Sequence, residues 1–388
     1  MHLGLATTAF LGSNAAWMRS SGAWPLSNGP LAERAAALRA QAASLDPASL
    51  AEAIGREGRR RYDRFLDGVL AYRRHPYRRE LADPPELWRE GSTRLLDYAP
   101  GGGVPALIVP SLVNRSYVLD LTPERSLLRR WAGQGLRPLL VDWGRPSEAE
   151  RGFDLTAYIR RLERALDAAR AAAGRPVSAV GYCMGGLLAL ALAQRRAADL
   201  GGLVLLATPW DFHAERPHQA RLIGAALPAL EPMLRQAGEL PVDVIQALFA
   251  GLDPLLVVRK FVKFAGLDPA SPSAAQFVAL EDWLNDGVPL AAEVARECLS
   301  GWYGGNTPAK GEWRIAGRPV KPREIQVPTL IVVPHADRIV PPPSALGLVA
   351  QMPQATVLRP NSGHIGMVAG GGAADQLYRP LAAWLEAL

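Results

Sequence analysis

One cysteine of this chain lies in a sequence context that suits nucleophilic chemistry. Residues 181–186 read Gly-Tyr-Cys-Met-Gly-Gly, so Cys183 has a glycine two positions before it and another two positions after it. This spacing is that of a nucleophile elbow, a sharp strand-to-helix turn whose crowded backbone needs small neighbours. The N-terminus of the helix that follows stabilises a thiolate. The alternative, a small buried apolar Cys183, disagrees with the strand pattern before it and the helix pattern after it.

A cysteine nucleophile needs a base, and the chain has six histidines. In the chain order of nucleophile-elbow enzymes, the histidine comes last, in a loop before the final helix. His364 fits that place, because it lies between a strand pattern at 355–358 and a helix pattern at 374–385. Its neighbours in Asn-Ser-Gly-His-Ile-Gly are small enough to let the ring reach the elbow. We therefore predict that His364 is the base.

The carboxylate that orients this histidine has two candidates. Asp337 follows the strand pattern at 329–333, which is the usual position of the third member of the triad. Asp211 follows the strand pattern at 203–207 and is the alternative. We favour Asp337, whose carboxylate would hold one imidazole tautomer and stabilise the imidazolium that forms when Cys183 loses its proton.

Acyl chemistry at Cys183 also requires donors for a developing oxyanion. One donor is expected to be the backbone N–H of the residue after the nucleophile, Met184. The second should come from the loop Pro-Ser-Leu-Val-Asn at 110–114, which follows an early strand. We predict Val113 as this donor, with its neighbour Leu112 left open.

Seven short apolar runs provide the framework for these residues. Helical patterns at 155–173 and 185–194 lie between some of them, and apolar strands joined by helices indicate a mostly parallel sheet with helices on both faces. Together with the elbow, this predicts an α/β-hydrolase fold. The runs are 93–98, 106–109, 138–141, 177–181, 203–207, 329–333 and 355–358.

The predicted domain organisation follows from changes along the chain in the pattern of strands and helices. Residues 1–90 are predicted to form a helical N-terminal module, because 31–77 is rich in Ala, Leu and Arg at helical spacing. The hydrolase core is expected at 91–210 and resumes at 326–388. Between them, 211–325 is too long for a structureless connection and is mainly helical in pattern, so we predict a cap or lid insertion.

Composition excludes several classes of protein. The chain has 388 residues, 49% hydrophobic and 21% charged, which fits a globular fold, and a net charge of +6 gives little reason to expect nucleic acid. Two cysteines cannot make a disulfide framework, so we expect a reducing, cytoplasmic setting. Residues 1–24 read neither as a secretory signal nor as an anchor, and no apolar stretch is long enough to span a membrane. Without a P-loop or zinc spacing, we expect no cofactor and no metal.

The box at 181–186 resembles that of the polyhydroxyalkanoate synthase family, the poly-3-hydroxybutyrate polymerases, in which a cysteine replaces the serine of a lipase-like box. The resemblance implies a Cys183–His364–Asp337 triad, an (R)-3-hydroxyacyl-CoA substrate and a growing polyester chain. It also implies a cytoplasmic acyltransferase associated with polymer granules. Further segments similar to this family are 114–121, 123–127, 283–286, 316–320 and 362–365.

Two positions depart from the family pattern and support other functions. Arg338 follows Asp337 where the family usually has histidine, and Ala-Gly-Gly-Gly at 369–372 replaces Asn-Pro-Pro. These departures keep open a thiol-dependent hydrolase, either an esterase or an intracellular polyester depolymerase. A non-catalytic granule-associated protein is the third reading. We also expect a homodimer formed through apolar cap helices.

Overall fold

The computed structural model describes residues 32–388 apart from Leu252 and Pro254. Within these residues the chain divides into two units. The helical unit comprises residues 32–77 together with Phe249–Val278, and the sheet unit comprises Arg78–Leu248 together with Ala279–Leu388. The predictions about a signal or anchor at 1–24, and the first part of the predicted module at 1–90, lie outside the described residues.

The sheet unit is built on one eight-stranded sheet with the order β1-β2-β4-β3-β5-β6-β7-β8. The first two strands pair antiparallel with each other, and β2 pairs antiparallel with β4; all the remaining pairs are parallel. The carboxyl ends of the parallel strands therefore meet at one edge of the sheet. The strands are β1 (Glu86–Glu90), β2 (Thr93–Asp97), β3 (Val104–Val109), β4 (Leu136–Asp142), β5 (Val177–Tyr182), β6 (Leu200–Leu206), β7 (Thr329–Val332) and β8 (Thr356–Leu358).

Helices occupy most of the remaining chain. They are α1 (Ala32–Ala43), α2 (Pro47–Arg74), α3 (Leu127–Ala132), α4 (Leu155–Ala173), α5 (Met184–Arg195), α6 (Pro217–Ala225), α7 (Leu227–Ala237), α8 (Val242–Ala250), α9 (Leu256–Phe264), α10 (Pro272–Asn285), α11 (Ala292–Arg296), α12 (Pro342–Gln351), α13 (Gly366–Ala369) and α14 (Arg379–Glu386). Two segments are π-helices, Glu297–Gly305 and Ala374–Tyr378.

Short elements complete the chain. The 3-10 helices are Ser116–Leu119, Glu148–Gly152, Ala197–Asp199 and Pro322–Glu324. Three small antiparallel pairs join Asp120–Thr122 to Arg125–Ser126, Glu239–Leu240 to Leu290–Ala291, and Arg314–Ile315 to Arg318–Pro319.

The sequence explains why the helices beside the sheet form where they do. Helix α4 is capped at its N-terminus by Asp154, whose carboxylate accepts from the N–H of Ala157 at 2.7 Å, and at its C-terminus by Gly174, which adopts a positive φ of 66°. Both are common helix-terminal residues, because they satisfy the end groups of the helix. Helix α5 is buried at every position from Met184 to Ala193, as expected for a helix that is apolar on all faces.

The α/β-hydrolase fold with a mostly parallel sheet is confirmed, and each of the seven predicted apolar runs overlaps a strand. Strand β1 was not predicted from the sequence. Its residues Glu-Leu-Trp-Arg-Glu are largely polar and partly exposed, because an edge strand of the sheet has a partner on only one side. Hydrophobic periodicity carries little signal at such a strand.

The helical unit holds its parts together through aromatic rings. Phe65 of α2 and Phe261 of α9 pack edge to face with ring centroids 6.0 Å apart, and Phe264 stacks on Phe277 at 4.2 Å. The ring of buried His75 is hydrogen bonded at Nε2 to the backbone oxygen of Pro269 at 2.8 Å. Residues separated by almost 200 positions thus share one small core, although the sequence gives no local sign of it.

The approach of α2 to α9 depends on one glycine, which provides a test of this packing. A Cβ atom on Gly68 would lie 2.1 Å from the backbone oxygen of Phe261, whereas Gly58 of the same helix has nothing within 4 Å. We expect Gly68→Ala to lower the free energy of unfolding by about 1–3 kcal/mol through overpacking. The matched control Gly58→Ala should gain roughly 0.5–1 kcal/mol from helix propensity. Urea unfolding followed by circular dichroism measures both, and equal stability of the two variants would contradict the close approach.

A partly buried carboxyl group in the sheet unit makes stability depend on pH. Glu297 begins a π-helix, and its Oε1 accepts from the N–H of Leu155 at 2.9 Å. Burial raises the pKa of Glu297 from its ordinary 4.5 to about 7, and the negative charges of Asp154 and Glu293 contribute to the rise. The folded protein therefore holds this proton more tightly than the unfolded chain does.

The sign of the effect follows from this raised pKa. The contribution of Glu297 to the free energy of unfolding is fully present below about pH 4.5 and is lost as the pH rises through about 7. We expect Glu297→Gln, which keeps the acceptor for Leu155, to be more stable than the parent at about pH 8 by about 1–2 kcal/mol, after allowance for partial exposure. Glu312→Gln, at an exposed carboxylate, is the control. Denaturant titrations at several pH values measure the difference, and parallel pH profiles for all three proteins would refute the expectation.

The described part of the chain contains no helix that is both long enough and apolar enough to cross a membrane. The division of the chain into an N-terminal module, a two-part core and a cap at 211–325 stays a prediction. The units seen here divide that insertion, because Phe249–Val278 belongs to the helical unit.

Candidate active site

Cys183 lies at the sharp turn between β5 and α5. Its backbone has a φ of 55° and a ψ of −123°, a conformation that a residue with a side chain rarely adopts. The turn is held by the N–H of Cys183, which donates to the backbone oxygen of Leu206 at 2.9 Å, and by the N–H of Gly186, which donates to the backbone oxygen of Cys183 at 2.9 Å. Strained backbone of this kind is typical of functional sites.

The glycines around Cys183 are required by close contacts. A Cβ on Gly181 would lie 2.5 Å from the Cα of Gly186, and one on Gly185 would lie 2.1 Å from the backbone oxygen of Val109. A Cβ on Gly186 would lie 1.8 Å from the hydroxyl oxygen of Thr208. The motif therefore lets α5 begin directly against the ends of β3 and β6.

Two loops at the carboxyl edge of the sheet bring Asp337 and His364 together. The pairing of β7 with β8 continues past the strands, because the N–H of His335 donates to the backbone oxygen of Pro360 and that of Ala336 to the backbone oxygen of Ser362, both at 3.0 Å. Asp337 and His364 follow directly on these two loops. Their distance from each other is thus set by an extension of the parallel ladder.

The two side chains form a direct hydrogen bond. Nδ1 of His364 and Oδ2 of Asp337 are 2.7 Å apart, and both residues are buried. The other carboxylate oxygen of Asp337 accepts from the N–H groups of Ile339 and Val340, each at 2.8 Å. The carboxylate is therefore fixed by its own loop, and it fixes the imidazole in turn.

His364 also interacts with the proposed nucleophile. Since Nδ1 faces Asp337, the other ring nitrogen, Nε2, is the one left for the sulfur of Cys183. Burial lowers the pKa of His364, but the negative charge on Cys183 and the hydrogen bonds to Asp337 and Cys183 outweigh it and raise that pKa to about 10. The raised pKa favours the imidazolium form of His364 at neutral pH.

The alternative carboxylate, Asp211, has a different set of partners. Its Oδ1 accepts from the N–H of His213 at 2.9 Å and from Nδ2 of Asn306 at 2.8 Å. The ring of His213 is hydrogen bonded through Nε2 to the backbone oxygen of Tyr303 at 2.7 Å. The structure thus brings Asp337, and not Asp211, to the ring of His364.

The two predicted oxyanion donors differ in their surroundings. Met184 is the first residue of α5, where the N–H groups have no partner within the helix. The N–H of Val113 donates to the hydroxyl oxygen of Ser111 at 3.0 Å. For Val113 to serve an oxyanion, this bond has to be exchanged, whereas Leu112 stays the alternative donor in the same loop.

Sequence reasoning missed Tyr182, which lies directly before the cysteine. Its ring centroid is 5.1 Å from that of His364, and its hydroxyl donates to the backbone oxygen of His364 at 3.3 Å. Only its adjacency to Cys183 could have drawn attention to it.

The two cysteines of the chain differ in their exposure. Cys183 is partly exposed, Cys298 is buried, and both are free thiols. Within the described residues, no group of three or more His, Cys, Asp or Glu side chains could hold a metal ion.

Comparisons with known proteins agree with this architecture. A family model described as "Alpha/beta hydrolase family" matches residues 125–376. The chain is 31% identical over 295 residues to the poly(3-hydroxyalkanoate) polymerase subunit PhaC of Synechocystis sp., covering 73% of this chain and 78% of that protein. It is 27% identical over 307 residues to the PhaC subunit of Haloferax mediterranei, covering 77% of this chain. The chain spans 62% of the length of that relative.

Among solved structures, the chain is similar to BpoC of Mycobacterium tuberculosis. The TM-score is 0.51 at 16% sequence identity, and the match covers 75% of this chain and 96% of the other. A likeness at this level of identity concerns the fold alone.

Proposed function

Since the chain belongs to the alpha/beta hydrolase family and, within it, to the poly(3-hydroxyalkanoate) polymerases, we propose that it transfers (R)-3-hydroxyacyl groups from CoA thioesters to a growing polyester. The proposal assigns the nucleophile to Cys183, the base to His364 and the orienting carboxylate to Asp337. The observation that carries it is a cysteine with elbow backbone geometry in a fold that also holds a histidine whose Nδ1 is 2.7 Å from a buried carboxylate.

In the first half-reaction, the Cys183 thiolate attacks the carbonyl carbon of the thioester. The negative charge that develops on the carbonyl oxygen is stabilised by the N–H of Met184 and by that of Val113 once it leaves Ser111. The C–S bond to CoA then breaks, and the imidazolium of His364 gives its proton to the departing CoA thiolate. The acyl group is left on Cys183 as a thioester, which keeps it activated at little energetic cost.

In the second half-reaction, neutral His364 removes the proton from the hydroxyl of an acceptor hydroxyacyl unit or polymer chain. The alkoxide oxygen attacks the acyl-cysteine, the C–S bond breaks, and the Cys183 thiolate is regenerated beside the imidazolium. Asp337 holds the imidazole in the tautomer that has Nδ1 protonated, so that Nε2 can accept.

Transfer to a hydroxyl acceptor also requires that water be kept away from the acyl-cysteine. Asp337 and His364 are 4% and 7% exposed, respectively, but Cys183 is partly exposed, so its acyl group needs a further cover against water. We propose that the insertion at 211–325 serves as the cap for this purpose.

The experiment is incubation of the purified protein with 3-hydroxybutyryl-CoA, with CoA release and the acyl product both measured. Transfer predicts CoA release accompanied by polymer. Free 3-hydroxybutyrate without polymer would refute transfer and favour the thiol-dependent hydrolase, the alternative that Arg338 and the Ala-Gly-Gly-Gly segment support. The absence of both CoA release and labelling of Cys183 by a thiol-directed acylating probe would favour a non-catalytic granule-associated protein.

The setting of the enzyme is part of the same proposal. We propose a cytoplasmic protein that associates with polymer granules and forms a homodimer through the cap helices. Sedimentation with substrate present tests the dimer, and a monomeric profile would remove it. Fractionation of polymer-containing cells tests the granule association.

A further inference from the structure

Tyr182 contacts the histidine loop, residues 359–365 between β8 and α13, in two ways that the proposed reaction has not used. Its hydroxyl donates to the backbone oxygen of His364 at 3.3 Å, and the two rings lie 5.1 Å apart at an angle of 32°. Tyr182 is 4% exposed and occupies the last position of β5, so its backbone is fixed by the central sheet. Tyr182 is joined to the nucleophile, Cys183, by one peptide bond.

These contacts act on a part of His364 that Asp337 does not reach. The hydrogen bond between Nδ1 of His364 and the carboxylate of Asp337 fixes the ring but leaves the backbone oxygen of His364 to another partner. The hydroxyl of Tyr182 holds the backbone of the loop, while its ring limits the tilt of the imidazole. Burial, together with the negative charges of Cys183 and Asp337, raises the pKa of Tyr182 well above its ordinary value, so the phenol stays a neutral donor.

We propose that Tyr182 is a positioning residue that keeps Nε2 of His364 directed at the sulfur of Cys183 throughout turnover. The role rests on the proposed function in that it concerns the same nucleophile and base. It predicts that the hydroxyl of Tyr182 affects the reactivity of the cysteine even when no acyl-CoA is present.

The test compares Tyr182→Phe, which removes only the hydroxyl, with Tyr158→Phe as a matched control. Tyr158 is another buried tyrosine of the sheet unit, and its ring packs against Trp143 and Phe153 rather than against the histidine loop. For each protein, the rate of alkylation of Cys183 by iodoacetamide is measured across the pH range, in a Cys298→Ala background so that one thiol reacts. Release of CoA from 3-hydroxybutyryl-CoA is measured alongside.

We expect Tyr182→Phe to lower the alkylation rate at neutral pH and kcat by about three- to tenfold, the usual effect of one lost hydrogen bond, with KM nearly unchanged. The pH midpoint of alkylation should move upward by up to about one unit, which corresponds to a tenfold change. Tyr182→Leu, which also loses the ring, should be slower still. Tyr158→Phe should match the parent.

Two results would overturn the proposal. One is a Tyr182→Phe variant with the alkylation profile and kcat of the parent; the other is an equal loss in Tyr158→Phe, which would indicate a general packing effect. If Tyr182→Phe has a lowered unfolding midpoint, the comparison is made at a temperature at which circular dichroism shows it folded. If the parent releases no CoA, the proposed function fails, while the alkylation profiles still decide the role of Tyr182.

Discussion

Cys183→Ala is expected to abolish CoA release from 3-hydroxybutyryl-CoA, with a fall in kcat/KM of about 10⁴-fold or more. Without the sulfur, His364 has no nucleophile to activate, and no acyl-enzyme can form. The substitution removes one sulfur atom from a partly exposed position, so the fold should be retained. Acyl transfer is measured by CoA release, and the covalent intermediate by mass spectrometry of the intact protein.

The chain offers a matched control for this experiment, because Cys183 and Cys298 are its two cysteines. Cys298 is buried in the π-helix Glu297–Gly305, and burial raises the pKa of its thiol well above the ordinary value. Such a thiol is a poor nucleophile. Cys298→Ala should therefore keep CoA release within about threefold of the parent, which is less than the effect of one hydrogen bond to a reacting group.

Cys183→Ser is a second variant that tests the nucleophile. A serine hydroxyl at the elbow gives up its proton much less readily than a thiol, so we expect a slow enzyme that falls between the parent and the alanine variant. CoA release that persists unchanged in Cys183→Ala, or that disappears equally in Cys298→Ala, would contradict the assignment of the nucleophile.

Asp337→Asn is expected to lower kcat by about 10³–10⁴-fold with little loss of stability. The asparagine oxygen can still accept from the N–H groups of Ile339 and Val340, so the loop keeps its shape. Its NH₂ group then faces Nδ1 of His364 in place of the carboxylate oxygen found there at 2.7 Å. Two donors cannot share this bond, and the imidazole changes to the tautomer whose Nε2 carries the proton and cannot act as a base.

Asp211→Asn is the matched control, because Asp211 also follows a strand and also accepts two hydrogen bonds, from His213 and Asn306. It should keep kcat within about threefold of the parent. Turnover and thermal unfolding are measured for both variants. A large loss in Asp211→Asn with little loss in Asp337→Asn would reverse the assignment of the acid, and equal losses accompanied by lowered unfolding midpoints would point to structure instead.

Cys183→Ala and Asp337→Asn test different members of the proposed triad. Cys183→Ala prevents acylation, whereas Asp337→Asn leaves the sulfur in place but weakens its partner. The cysteine of Asp337→Asn should therefore react with iodoacetamide more slowly than that of the parent at neutral pH, because the imidazolium beside the thiolate loses its carboxylate.

Local sequence was sufficient to predict most of the sheet unit. Apolar runs such as 177–181 and 203–207 correspond to strands because central parallel strands are buried on both faces, and burial selects apolar residues regardless of the rest of the fold. Strand β1 escaped because it lies at the sheet edge. The core shared by residues 32–77 and Phe249–Val278 escaped because its two parts lie far apart in the chain.

The residues of the candidate site also differ in how far the sequence could predict them. The elbow at Cys183 could be predicted because one of its close contacts is local: Gly181 and Gly186 meet across one turn, so the spacing of small residues reflects that geometry. His364 could be predicted from its place between the last strand and the last helix. For the partner of the histidine, the pattern favoured Asp337 and left Asp211 as the alternative, since both follow strands.

Sequence alone determined the sheet, the turn that presents the sulfur and the order in which the reactive groups occur, because each depends on burial or on contacts a few residues apart. Tertiary structure decided which carboxylate is hydrogen bonded to His364 and which backbone oxygen accepts from the hydroxyl of Tyr182. These are hydrogen bonds between loops that only the pairing of β7 with β8 and the position of α5 bring into register. Such bonds depend on distances of a few tenths of an ångström between residues far apart in the chain, and residue type and spacing do not encode those distances.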